Sequence, residues 1–264
     1  MSHLGKRLVS SAFLVSIAVF TIFWGPLWFF IIVTEALVLL SLHEYLSLAE
    51  RKQIPVNRVL CMISGALMPV AVYYHADMLL LVLSCLAIFS SNFRRAMLHH
   101  GLIGTAVAMF GIVYVAWFLS HLVALRMVPH GAPWVFYVAL IVKGGDAGAY
   151  FAGTRWGKAK LLEHVSPKKS MEGAVAGLLT SVILSLIAKS FLPHVSFGNL
   201  LLLGAMVGAI SQIGDLGESL IKRDAGVKDS GTIPGLGGIL DVMDSLLLTI
   251  PFVYHYIVFF LGSS

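Results

Sequence analysis

The chain has 264 residues, 58% of them hydrophobic and 12% charged, with a mean hydropathy of +0.91 and a formal net charge of +5. One globule of this length cannot bury that much apolar surface, so the composition excludes a water-soluble enzyme and makes lipid the solvent for most of the chain. The basic residues form no long run, which argues against nucleic acid as a partner, and Cys61 and Cys85 stand in separate apolar stretches without a partner at disulfide or zinc-site spacing.

A hydrocarbon layer of about 30 Å takes roughly 20 helical residues per crossing, and apolar windows bounded by polar or Gly/Pro breaks predict nine crossings. Lys6 and Arg7 precede the first, Leu8 to Trp24. Hydrophobicity resumes directly after Gly25-Pro26 with no small-residue cleavage site leading into a polar domain, so an uncleaved crossing is expected in place of a secretory leader. The others are Leu27 to Leu48, Val59 to Tyr74, Met78 to Phe93, Leu102 to Leu125, Trp134 to Gly153, Gly173 to Phe191, Leu200 to Leu220 and Ile239 to Leu261. Fifteen of the 18 lysines and arginines fall in the N-terminus and the even-numbered loops: Lys6, Arg7; Arg51, Lys52, Arg58; Arg94, Arg95; Arg155, Lys158, Lys160, Lys168, Lys169; and Lys222, Arg223, Lys228. Such sorting predicts an all-α, polytopic integral membrane protein with a cytoplasmic N-terminus and an outward C-terminus.

Two regions are expected, residues 1–130 with about five helices and residues 131–264 with about four. In the first, Glu35, His43, Glu44 and His121 are the few polar residues within crossings, and packing or interface placement accounts for them better than chemistry. In the second, polar residues gather at the cytoplasmic ends of the crossings. Lys143 to Tyr150, running on to Gly153, Arg155, Gly157 and Lys158, combines glycines that permit close helix approach with a carboxylate, Asp146; a small-residue packing face explains it equally well. Ser166-Pro167-Lys168-Lys169-Ser170-Met171-Glu172-Gly173 then sets two lysines beside a helix start, where unpaired N–H groups favour phosphate. Ser170 and Glu172 miss the capping-box spacing, so capping is not expected to explain this segment.

The last cluster, Ser211 to Arg223 and on through Lys228-Asp229-Ser230-Gly231 to Asp244, carries the most specific signal. Asp215 and Glu218 are three apart, as are Asp241 and Asp244, so each pair shares a helical face. Close carboxylates repel unless a cation lies between them, which predicts a Mg2+ site beside the polyphosphate-binding Lys222, Arg223 and Lys228. Gly235, Gly237 and Gly238 would let backbone N–H groups approach a phosphate.

These residues resemble the phosphatidate cytidylyltransferase family, whose C-terminal signature has the form S-x-x-K-R-x4-K-D-x-G, then Pro, H-G-G and D-R-x-D. Ser219, Lys222, Arg223, Lys228, Asp229, Gly231, Pro234, Gly237, Gly238, Asp241 and Asp244 occupy matching positions, and the resemblance runs over roughly residues 140 to 245. Leu236 stands where the family usually has His, and Val242 where it usually has Arg. The resemblance implies an enzyme that converts CTP and phosphatidate to CDP-diacylglycerol and pyrophosphate, with a divalent metal, in a helical and dimeric membrane protein, here expected in a bacterial inner membrane. Asp215, Lys228, Asp229, Asp241 and Asp244 are then the expected catalytic residues. Asp146, Asp215, Asp241 and Asp244 would hold Mg2+, and Lys168, Lys169, Ser219, Lys222, Arg223, Gly237 and Gly238 would bind substrate. Transfer to another lipid phosphate, a CTP-dependent lipid kinase and an inactive relative are the alternatives. A cation-coupled transporter fits less well, because the acids gather at the cytoplasmic ends and no internal repeat is evident.

Overall fold

The computed structural model describes residues 15–93, 101–233 and 237–262. Lys6, Arg7, Arg94, Arg95, Pro234, Gly235 and Leu236 lie outside the described residues, as does the beginning of the first predicted crossing.

Helix occupies the described part of every apolar window. In chain order these helices are α1 (residues 15–23), α2 (Leu27–Arg51), α3 (Arg58–Tyr73), α4 (Asp77–Ser91) and α5 (Gly101–Met127). They continue with α6 (Gly131–Trp156), α7 (Met171–Ser190), α8 (Phe197–Asp224) and α9 (Ile239–Leu261). Six of them, α2 and α5 to α9, are long and apolar enough to cross a membrane. At 16 and 15 residues, α3 and α4 are shorter than the expectation of nine full crossings requires. Local chemistry bounds α3 at both ends. Asn57 caps α3 by accepting from Leu60 N–H at 3.2 Å, and His75, at φ +56°, ends the turn after it.

The chain is an all-α integral membrane protein. Its exterior carries the apolar surface that lipid covers: α4 buries Ser84 and Ile88, while Met78, Leu79, Val82, Leu83, Leu86 and Phe89 are exposed. One element departs from the expected loop between the sixth and seventh crossings. There β1 (Lys160–Leu162) pairs antiparallel with β2 (Ser166–Ser170), with Lys160 opposite Ser170 and Leu162 opposite Ser166. Most of its side chains are exposed, so this hairpin is stabilised by backbone pairing more than by burial.

The chain divides into two compact units, residues up to 127 with Asp224–Met243, and Val128–Arg223 with residues from 244 onward. In the first, Val38, Leu42 and Leu46 of α2 are fully buried. Tyr45 lies against Gly111 of α5 and donates its hydroxyl to Val107 O at 3.0 Å. Residues 112–117 of α5 form a π-helical turn, and Trp117 at its end donates Nε1–H to Asp77 at 2.8 Å.

The second unit is built on a seam of small residues. On α7, Gly173, Gly177, Ser181 and Ser185 recur every four residues and are all buried. A Cβ at Gly145 of α6 would stand 2.3 Å from Ser181 Oγ, one at Gly148 2.2 Å from Thr180 Oγ1, and one at Gly177 2.9 Å from Ala149 Cβ. Ser185 extends the seam to α8 by donating to Leu200 O at 2.5 Å. Lipid gives apolar helices no reward for leaving water, so close approach and interhelical hydrogen bonds supply the cohesion. Much of the glycine content after Lys143 is thereby explained as packing.

Candidate active site

In the second unit, α6 carries Lys143 and Asp146 on one face, three residues apart. Asp146 Oδ2 accepts from Ser245 Oγ at 3.0 Å and lies 3.4 Å from Lys143 Nζ, which itself donates to Ser245 Oγ at 3.0 Å. Next to Ser245, Asp244 is buried, and its Oδ1 accepts from Ser245 N–H at 2.5 Å. The carboxylates of Asp215 and Asp146 and the Lys143 ammonium are all near enough to act on the Asp244 charge. Three acids thus lie near one lysine, Asp244 buried and the others partly exposed, an arrangement that favours an added cation.

The hairpin brings a second cation to the acids. Lys169 on β2 pairs with Asp215 of α8 at 2.5 Å, and Lys168 beside it is exposed. Ser170 ends the strand and caps α7, its Oγ accepting from Gly173 N–H at 3.1 Å, while Glu172 accepts from the backbone N–H groups of Lys158 and Ala159. Capping therefore does shape this segment, contrary to the reading from spacing alone. A lone serine cap needs no reciprocal Glu at the third position, and Glu172 serves the preceding turn instead. Ser170→Ala is expected to destabilise the protein by about 1 kcal/mol, with the loss concentrated at the hairpin, as checked by thermal unfolding and hydrogen exchange.

Asp146, Lys168, Lys169 and Asp215 line one cavity of about 370 Å³, together with Ala149, Tyr150, Leu161 and Gln212. Acids and lysines line one part of it, and Ala149, Gly153 and Leu161 give the rest apolar surface.

The other predicted residues have different surroundings. Glu218, fully buried, pairs with Lys222 one turn later, while Asp215 pairs with Lys169. Lys222 is correspondingly buried, Ser219 is half-buried, and Arg223 donates Nε–H to Val165 O at 3.3 Å. In the first unit Lys228 and Asp229 are exposed, and Asp224 pairs with Lys52 at 3.0 Å. Gly237 adopts φ +85°, a conformation that disfavours side chains, and its N–H donates to Ile233 O at 3.1 Å. Gly238 N–H donates to Asp241 Oδ2 at 2.7 Å, and Asp241 also accepts from Ser230 N–H at 2.9 Å. Val242 is half-buried on α9. Among the described residues, no three His, Cys, Asp or Glu side chains gather tightly enough to hold a metal ion unaided. Lys143 and Ser245 were missed as site residues, although the three-residue spacing of Lys143 to Asp146 was legible.

The sequence pattern defining the cytidylyltransferase family matches residues 5–260. The chain belongs to that family. Its relatives include a Haemophilus influenzae protein named phosphatidate cytidylyltransferase, 44% identical over 137 residues, which are 50% of this chain and 47% of that protein. A Bacillus subtilis protein of the same name is 36% identical over 154 residues, 56% of each chain. A Synechocystis protein, also so named, is 30% identical over 289 aligned positions, 97% of each. The chain thus spans about half the length of the first two and nearly all of the third. Within the cytidylyltransferase family frame, the acids and lysines around the cavity are suited to anionic reactants and to a hard divalent cation that takes oxygen ligands.

Proposed function

We propose that this chain transfers a cytidylyl group from CTP to phosphatidate, forming CDP-diacylglycerol and pyrophosphate. The observation that carries the reading is the convergence of Lys168 and Lys169 with Asp146 and Asp215 on one cavity. A phosphate oxygen of phosphatidate attacks the α phosphorus of CTP, the bond from that phosphorus to the bridging oxygen breaks, and pyrophosphate leaves. A phosphate monoester is already ionised at neutral pH, so no strong base is needed, and the main barrier is bringing two anions together. Lys169 would exchange Asp215 for a phosphate oxygen, and Lys168 would hold a second one. Lys228, Asp229, Ser219, Lys222, Arg223, Gly237 and Gly238 support the same reading by their place in the family signature.

Mg2+ suits the donor set. It usually takes one or two protein carboxylates and fills its other positions with water and phosphate oxygens, so a full protein cage is not required. Asp146, Asp215 and Asp244 would hold it, with Asp241 on the same helix as Asp244. Bound there, it would offset the triphosphate charge. Chelation is expected to lower turnover at least about a hundredfold, with recovery on adding Mg2+.

The sorting of basic residues supports a cytoplasmic N-terminus and an active site facing the cytoplasm, where CTP is available, and the apolar windows support nine passes with α3 and α4 as short ones. The bacterial relatives support placement in the inner membrane, and the family resemblance supports a homodimer. The deciding experiment incubates the purified full chain in phosphatidate-containing nanodiscs with labelled CTP, with and without Mg2+. Labelled CDP-diacylglycerol and equimolar pyrophosphate are expected. Folded protein yielding neither, or yielding a phosphorylated lipid instead, would overturn the reading; replacing phosphatidate with a polyprenyl phosphate tests lipid choice.

A further inference from the structure

Glu44, on α2, belongs to none of the clusters above. It is half-buried near the end of a long apolar helix, yet its carboxylate reaches a segment nearly two hundred residues later in the chain. Oε1 accepts from Ile239 N–H at 2.9 Å, and Oε2 accepts from Leu240 N–H at 2.9 Å. These are the first two N–H groups of α9, which have no partner within the helix. Ser230 Oγ lies 2.8 Å from Glu44 Oε2 and 3.0 Å from Asp241 Oδ2, so its single proton bridges two carboxylates. A Cβ at Gly238 would stand 2.2 Å from Glu44 Oε2, and one at Gly231 2.6 Å from Oε1. The backbone is glycine at both points because the carboxylate occupies the space that a side chain would need.

We infer that Glu44 is a positioning residue for the reaction: it fixes Ser230 and residues 238–241, and with them the start of the helix that carries Asp244. A negative charge at a helix N-terminus is stabilised by the unpaired N–H groups and the helix dipole, so Glu44 supplies from another helix the cap that α9 lacks locally. Ser230 and Asp241 complete the clasp from within the segment. An ordinary packing glutamate would not take two successive helix-start amides and also border two glycines. The expected kinetic consequence, which rests on the proposed cytidylyl transfer, is loss of orientation at the reacting groups more than loss of substrate affinity.

The test uses the full-length protein in nanodiscs. Glu44→Gln keeps the shape but replaces one accepting oxygen with an NH2 group, whereas Glu44→Ala removes the clasp. Hydrogen exchange at Ser230 and residues 238–242 should rise in both, most in Glu44→Ala, with the α6–α7 pair unchanged. The kcat should fall by about 10–100-fold with KM for CTP within about threefold, and Glu44→Gln should lie between wild type and Glu44→Ala. Unchanged exchange at those residues would overturn the inference whether or not the wild type is active. Global unfolding of both variants, or unchanged kcat in an active protein, would also overturn it. An inactive wild type with the expected exchange pattern would instead count against the cytidylyl-transfer reading while leaving the clasp in place.

Discussion

Replacing Asp244 with asparagine is expected to lower turnover by roughly 10²–10³-fold while the protein stays folded, since charge stabilisation of about 3–4 kcal/mol corresponds to that factor. Asp244 is buried, its Oδ1 accepts from Ser245 N–H, and Asp215 and Asp146 act on its charge from the same unit. Asparagine keeps an oxygen for Ser245 N–H, so the local backbone has no reason to move. What disappears is one negative charge from a group of three, the quantity a divalent cation recognises. Steady-state rates against Mg2+ concentration, with thermal unfolding alongside, give the check. Full activity at ordinary Mg2+ would sink the assignment of Asp244 as a ligand; lost activity with a raised Mg2+ requirement would support it.

The second large effect is expected at a residue with no chemistry of its own. A methyl group at Gly214 would stand 2.7 Å from the backbone oxygen of Asp244 and 3.5 Å from Ser245 Cα. Backbone cannot swing aside as a side-chain end can, so Gly214→Ala must move α8 against α9 where both bear site residues. A displacement of about 1 Å can lower catalysis about a hundredfold, and overpacking of this kind costs about 1–3 kcal/mol of stability. Gly217 lies on the same helix with nothing within 4 Å of its added methyl. Gly217→Ala should therefore leave the rate unchanged and raise stability by up to about 1 kcal/mol through helix propensity. Rates and melting temperatures of the two variants, measured together, separate a steric effect at the site from a general effect of removing glycine; equal behaviour would refute the argument.

The helices were legible because hydrophobic windows and their breaks report local properties: Gly25-Pro26 parts α1 from α2, and the polar stretch after Trp156 ends α6. Whether each window is long enough to cross was less legible: α3 keeps the short length of its apolar window, Val59 to Tyr74, and hydropathy does not say how so short a helix sits in lipid. At the site, spacing identified Asp146, Asp215 and Asp244 as acids on helix faces but could not assign their partners. The Asp215–Lys169 pair depends on a hairpin folding back onto α8, and the Glu218–Lys222 pair diverts a carboxylate that spacing alone had grouped with Asp215. Glu44 was harder still. Its partners lie 186 to 196 residues away, a separation at which no periodicity gives a signal.

The seam between α6 and α7 has a bearing on temperature. Its contacts are glycine and alanine backbone against small side chains, reinforced by hydrogen bonds such as Ser181 Oγ to Ile141 O at 3.3 Å. Cohesion of that kind rests on dispersion and polar bonding between helices already in lipid. It does not weaken on cooling as water-driven apolar burial does. The lysine hairpin and Asp146, both anchored to this pair, accordingly keep their support in a chilled bilayer, where a soluble enzyme's hydrophobic core would be losing part of its own.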